Sequence, residues 1–142
     1  MLVVVVPAAA AAASELPAPA RPPLPAGAFG DRAALRAAVD EWVANSSAAE
    51  ATHGSISGWD TSRVDDLSEL FYGKSTFNAA IGGWDTSKVT SMFRTFSDAT
   101  SFNQPGISAW DTSKVTSMYE TFNGATAFNS QLDWDTSKVT TM

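Results

Sequence analysis

Gly83-Trp84-Asp85-Thr86-Ser87-Lys88-Val89-Thr90-Ser91-Met92-Phe93-Arg94-Thr95-Phe96 is the stretch that decides the fold, because most of it returns elsewhere in the chain. Trp-Asp-Thr-Ser stands at 59–62, 84–87, 110–113 and 134–137, in steps of 25, 26 and 24 residues. Further columns align with it. They are Val64, Val89, Val115 and Val139; Leu67, Met92, Met118 and Met142; Phe71, Phe96 and Phe122; and Ile56, Ile81, Ile107 and Leu132 ahead of each Trp. The pairs Phe77-Asn78, Phe102-Asn103 and Phe128-Asn129 complete the unit. A unit of this size cannot bury a Trp, two Phe, a Val and a Met alone, so successive units must stack on one another around a shared core.

Within a unit, Val89, Met92, Phe93 and Phe96 fall at i, i+3, i+4 and i+7, as do Val115, Met118, Tyr119 and Phe122, a spacing that predicts a short helix. Ser62, Ser87 and Ser113 stand where its N-cap belongs, with Asp65 giving a near-match to a capping box. Gly73 and Gly124 stand where a left-handed C-cap belongs. The segments Phe77–Trp84 and Phe102–Trp110 mix aromatic, small and β-branched residues with Gly or Pro, which predicts a short extended strand and a corner. The period lies within the 20–29 residues of leucine-rich repeats. The expected fold class is therefore an α/β repeat, a leucine-rich-repeat-like solenoid of short parallel strands and short helices with an N-terminal capping helix.

Ahead of the repeats, Leu35, Val39, Trp42 and Val43 line one face of a predicted helix over Asp31–Asn45, with Asp31 able to cap it. Its polar face mixes Asp40 and Glu41 with Arg32 and Arg36, unlike the basic stripe of a membrane-surface helix. It suits a cover over the first unit. Met1–Ala13 is too short to cross a bilayer, which takes about 20 residues. It suits a signal-peptide apolar core before a small-residue cleavage site at Ala11-Ala12-Ala13, although no Lys or Arg precedes it. Pro17, Pro19, Pro22, Pro23 and Pro25 stiffen the next segment into an extended linker. The expected organisation is 1–28 leader and Ala/Pro-rich linker, 29–53 capping helix and junction, and 54–142 repeat array with its last unit incomplete. Earlier units continue past the position of Met142, so a piece of a longer chain is expected.

Composition narrows the chemistry. The 142 residues carry nine Lys plus Arg against fifteen Asp plus Glu, a net charge of −6. That balance lacks the basic excess that binding a phosphate backbone requires, so nucleic acid is not an expected partner. With no Cys and one His, thiolate chemistry and Cys-based metal sites are excluded. The column Asp60, Asp85, Asp111 and Asp135 offers oxygen ligands for calcium, but Asp before Thr-Ser suits local amide bonding at a corner, and Arg63, Lys88, Lys114 and Lys138 come three residues later to offset repulsion. Asp65, Asp66 and Glu69 with His53 form the one cluster reminiscent of acid–base machinery. Adjacent carboxylates on a helix point about 100° apart, so a solvated face is the expected role. No catalytic, cofactor-binding or metal-binding residue is expected. Asn45-Ser46-Ser47 is a glycosylation sequon, meaningful only in a secreted chain.

The Phe-Asn, Ile, Trp-Asp-Thr-Ser-Lys-Val-Thr-Ser-Met and following Phe of residues 54–142 resemble the BspA-type leucine-rich-repeat surface protein family. The resemblance implies parallel strands on one face of a right-handed solenoid, short helices on the other, and a surface-exposed or secreted protein serving adhesion or protein recognition, with no catalytic residue to carry over. Binding candidates on the strand face are Asn78, Ala80, Asn103, Gln104, Asn129 and Gln131, although the Asn column equally suits side-chain amides satisfying backbone groups between stacked units. The expected function is a non-enzymatic binding module, with a ligand-free structural spacer as the alternative. Expected partners are a protein or surface ligand, with possible end-to-end contact at the open C-terminal repeat and no transmembrane span.

Overall fold

The structure, a computed structural model, describes residues 22–142; the leader Met1–Ala13 and most of the expected linker lie outside the described residues. Helix α1, Arg32–Ala44, forms as its periodicity predicts and buries Leu35, Ala38 and Val39. Asp31, in extended conformation, caps it by accepting the Ala34 N–H at 2.9 Å. Asn45 then ends α1, its N–H bonding the Glu41 carbonyl, and its side chain accepts the Ala48 N–H at 3.1 Å to start α2, Ser46–His53. Gly54, at φ 78°, closes α2 in a conformation that costs glycine little.

These helices cover the first repeat. Trp42 meets Trp59 edge-on at 6.0 Å, and Phe29 lies 5.0 Å from the same indole. Arg32 pairs with Asp66 at 3.5 Å, and Lys74 with Asp40, tying α1 to the repeat beneath it. The end of the stretch read as linker also packs: Gly27 is buried, its carbonyl accepts the Asp60 N–H at 2.7 Å, and Ala28 bridges to Asp60 in parallel.

Beyond Gly54 four rungs stack, each marked by its Trp. The Trp59, Trp84, Trp110 and Trp134 rings follow one another at 6.2, 6.4 and 6.2 Å, and Phe71, Phe96 and Phe122 at 5.2 and 5.3 Å. A third column, Phe77, Phe102 and Phe128, runs beside them at 5.9 and 6.1 Å. Each ring buries on the order of 150–250 Å², an upper estimate of roughly 4–6 kcal/mol before ordering entropy. Stacking of units around one apolar core is thus as the repeat demands.

The secondary structure within a rung differs from expectation. Among the described residues there is no strand, the two α-helices both lie in the cap, and the rungs hold turns, single parallel bridges and short 3-10 turns at Ile56–Gly58 and Pro105–Ala109. The expected α/β repeat, a leucine-rich-repeat-like solenoid of parallel strands and short helices, is overturned by this. The backbone bonding gives the reason. Leu67, Glu69, Phe71 and Gly73 send their N–H groups to Ser91, Phe93, Thr95 and Ser97 of the next rung, while Leu70, Tyr72 and Lys74 bond back three residues within their own. The pattern repeats one rung later, from Met92, Arg94, Phe96 and Asp98 to Ser117, Tyr119, Thr121 and Asn123. Alternate amides are committed to a neighbour, so no i→i+4 ladder can run, and the intervening turns prevent a continuous strand. Glu69, Arg94 and Glu120 adopt φ 57°, 52° and 53°, left-handed values that break any helix at its middle. Gly73 and Gly124 do take the left-handed conformation read for them, at φ 69° and 70°, as turn residues rather than helix caps.

Threonine closes the polar accounting of the core. Thr61, Thr86 and Thr112 are buried, and each hydroxyl donates to the carbonyl of Asp85, Asp111 or Asp135 in the next rung, at 3.0, 3.1 and 3.0 Å. Thr95 and Thr121 reach the other way, to Leu67 and Met92, at 3.0 and 2.9 Å. Among the described residues no buried side-chain nitrogen or oxygen lacks a partner.

Candidate functional site

The stack presents three outward surfaces. The first is the corner after each Trp. Asp85 Oδ1 accepts the Ser87 hydroxyl at 2.6 Å and the Ser87 N–H at 2.9 Å, and Asp111 accepts Ser113 at 2.6 and 3.0 Å. Asp60 and Asp135 accept the N–H of Ser62 and Ser137 at 3.0 and 2.9 Å. The serine hydroxyl first, then the serine amide, lowers all four carboxyls below the ordinary aspartate value. The capping residue is therefore the aspartate, and the serine is its donor, the reverse of the serine N-cap expected. One oxygen of each carboxylate, Oδ1, is thus engaged in its own turn. Among the described residues no three His, Asp or Glu side chains gather as metal ligands.

The second surface carries the expected binding residues. Asn78 Oδ1 accepts the Asn103 N–H at 2.9 Å, and Asn103 Oδ1 accepts the Asn129 N–H at 3.0 Å. Gln104 donates to the carbonyl and side-chain oxygens of Asn78 at 2.7 and 3.1 Å, and Ser130 donates to Asn103 at 2.8 Å. The amide column is a ladder between rungs, exposed rather than buried but structural in its bonding. Ala80 and Gln131 are exposed on the same edge.

The supposed acid–base cluster is not assembled. His53 Nε2 bonds Glu41 at 2.8 Å with its ring against Phe29 and Trp59, whereas Asp66 accepts the Ser68 N–H at 2.7 Å and pairs with Arg32. Asn45 of the sequon has its side-chain oxygen engaged as the cap of α2.

The third surface, the turn face, is where sequence reasoning missed most. The helix pattern assigned Phe93 and Tyr119 to a buried face. Instead they stack on each other at 5.7 Å on the outside, Phe93 half-buried and Tyr119 41% exposed, with Tyr72 46% exposed on the rung before. Arg94 lies over both rings, its Cζ 5.1 Å from the Phe93 centroid and 6.0 Å from Tyr119, and its Nε donates to Glu120 at 2.6 Å. That bond, above all, raises the guanidinium's affinity for its proton, with the nearby Tyr119 and Tyr72 adding to it. The available signal was Ser68, which fills the Phe93 and Tyr119 column in the first rung: a column that takes Ser beside Phe and Tyr is not one of the uniformly apolar core columns, although Ser68 itself is buried.

At the last rung Phe122, Phe128, Leu132 and Trp134 are only half-buried, and Phe122, Leu132 and Trp134 border a mainly apolar concavity of about 370 Å³ together with Met118 and the exposed Met142. Among the described residues no helix is long and apolar enough to cross a membrane.

A family model described as Mycoplasma protein of unknown function, DUF285, matches residues 32–142, which takes in α1, α2 and all four rungs. No curated protein and no solved structure matches the chain.

Proposed function

The chain belongs to the DUF285 family, whose function is unknown, and from that premise we propose that it is a non-enzymatic recognition module of a BspA-like surface or secreted protein, acting in adhesion or protein binding. One observation carries the reading: the turn face displays Tyr72, Phe93, Arg94 and Tyr119 together on a well-packed stack. Aromatic and Arg side chains dominate the energetics of protein recognition, since they offer large contact areas at low entropic cost. The carboxylates of the corners are bonded to their own turns, and the concavity at the last rung is lined mainly by apolar groups, which favours binding over catalysis. The amide ladder favours the other reading, a spacer, because its hydrogen-bonding capacity is used within the stack.

The test is binding of the purified chain to a panel of immobilised matrix and serum proteins by interferometry, alongside the double variant Tyr72→Ser/Tyr119→Ser. Both tyrosines are exposed, so the variant is expected to melt as wild type does. A partner bound by wild type and lost by the variant supports recognition through the turn face. Absence of any partner favours the spacer, and binding that the variant retains removes the turn face as the recognition surface.

A further inference from the structure

Charge is not spread evenly over the stack. At the corners each carboxylate has a cation three residues on: Asp60 and Arg63, Asp85 and Lys88, Asp111 and Lys114, Asp135 and Lys138. That edge is balanced. The turn face is not: residues 65–73, 90–98 and 116–124 hold five carboxylates, Asp65, Asp66, Glu69, Asp98 and Glu120, against the single guanidinium of Arg94. Arg94 is already engaged by Glu120, and Asp66 by Arg32, so the ridge offers incoming ligands no open cation. What it offers is the exposed rings of Tyr72 and Tyr119 on the same run of turn segments as the carboxylates of Glu69, Asp65 and Asp98.

Resting on the recognition reading above, we infer that the turn face docks a basic segment of a partner protein, an extended stretch bearing Lys or Arg side chains. The chemistry is complementary in two ways. An ammonium or guanidinium is attracted to the face of a tyrosine ring, and the same group answers the carboxylate excess along the ridge. The structure already contains a small version of this contact, in which Arg94 sits over Phe93 and Tyr119 while bonding Glu120. Successive rungs place their turn segments in register, joined by the parallel bridges Asp66 to Ser91 to Ser117. An extended chain running along the stack therefore passes Tyr72 and Glu69 on the first rung, Phe93 and Asp98 on the second and Tyr119 and Glu120 on the third, each rung holding a ring and a carboxylate although not in a single column.

The test uses fluorescence anisotropy with the full chain and two labelled peptides, one alternating Lys and Arg with Gly and Ser, the other with Glu and Asp in the basic positions. The basic peptide is expected to bind, more weakly at higher salt, and the acidic one not. Tyr72→Ser/Tyr119→Ser, which changes no charge, is expected to weaken the basic peptide by about tenfold. Glu69→Gln is expected to weaken it more than Asp133→Asn, which removes the same charge from another part of the surface. Equal loss in those two, or an unchanged affinity in the tyrosine variant, would mean that only the overall negative field attracts the peptide and would overturn the inference. Preference for the acidic peptide would overturn it by making Arg94 the anchor. A matrix or serum partner lost by the tyrosine variant while the basic peptide fails to bind removes this inference and leaves the recognition reading standing.

Discussion

Trp110 donates its indole N–H to the carbonyl of Ile81, 29 positions earlier, at 3.0 Å. Trp84 does the same to Ile56 at 2.8 Å and Trp134 to Ile107 at 2.8 Å, so the residue that stacks the rungs also locks their register. Trp59, with no rung before it, turns to Gly54 at the end of α2, at 2.9 Å. The ring contributes through burial and the N–H through direction. Trp110→Phe keeps most of the first and strips the second, leaving the Ile81 carbonyl with the Trp84 N–H alone, at 3.2 Å; it is expected to cost about 0.5–1.5 kcal/mol. Trp110→Ala also removes the ring, for a loss of about 3–5 kcal/mol. Urea denaturation separates the two, and a Phe variant as stable as wild type would show that the bond does not set the register.

The columns behind that bond are plain in the sequence, and the path of the backbone is not. Trp, Ile and Phe recur because each must meet its own kind in the next rung, so period and core composition are readable together. The i, i+3, i+4, i+7 spacing of Val89, Met92, Phe93 and Phe96 looks helical, yet it arises from a ribbon of three-residue turns whose alternate amides belong to the neighbouring rung. Such bonds lie 23 to 26 residues apart, and no local periodicity reports them. The outward rings were hidden by the same misreading, since Phe93 and Tyr119 share a face with Met92 and Phe96 only if the stretch is a helix. The cap was legible because α1 bonds within itself, with Asp31 in the expected place.

Gly82 and Gly106 meet where two rungs approach closely: a Cβ on Gly82 would stand 2.6 Å from the Gly106 carbonyl carbon and oxygen. Backbone cannot swing aside as a side chain would. Gly82→Ala is expected to destabilise by about 1–3 kcal/mol through forced separation of the rungs. Ala at Gly58, with no atom within 4 Å of its Cβ, provides the control, expected to lie within about 0.5 kcal/mol of wild type. Thermal melts of the pair test it; equal melting temperatures would mean that the stack absorbs the methyl.

Glu69 carries a left-handed φ of 57° on a side chain that prefers to avoid it. Glu69→Gly relieves that strain, and up to about 1 kcal/mol of added stability is expected once glycine's greater freedom in the unfolded chain is set against it. Gly73→Ala, at φ 69° in open space, isolates the opposite change and is expected to cost about 1 kcal/mol. Denaturant midpoints moving in opposite directions confirm that backbone conformation, not contact, governs these turn positions. Movement in the same direction contradicts it.

Asp85 is held below the ordinary aspartate value first by the Ser87 hydroxyl and then by the Ser87 amide, with desolvation and Asp60 opposing and Lys88 helping least. A carboxyl whose folded pKa lies below its unfolded value, about 3.9, binds its proton less readily when folded, so it stabilises the fold above that pH. The contribution is lost as the pH falls through the lower, folded value. Asp60, Asp111 and Asp135 are lowered by the same serine contacts, so the four corners are expected to weaken together on acidification. The melting temperature should be flat from about pH 7 to 5 and decline below about pH 4, where these carboxylates take up protons. Ser87→Ala removes the principal donor and should move the Asp85 titration, followed by carboxyl NMR, upward toward the ordinary value. Lys88→Met should move it less, and added salt should matter little, because a short hydrogen bond is screened far less than a charge pair across solvent. An Asp85 midpoint that follows Lys88 rather than Ser87 would assign the corner to charge pairing instead of to the turn.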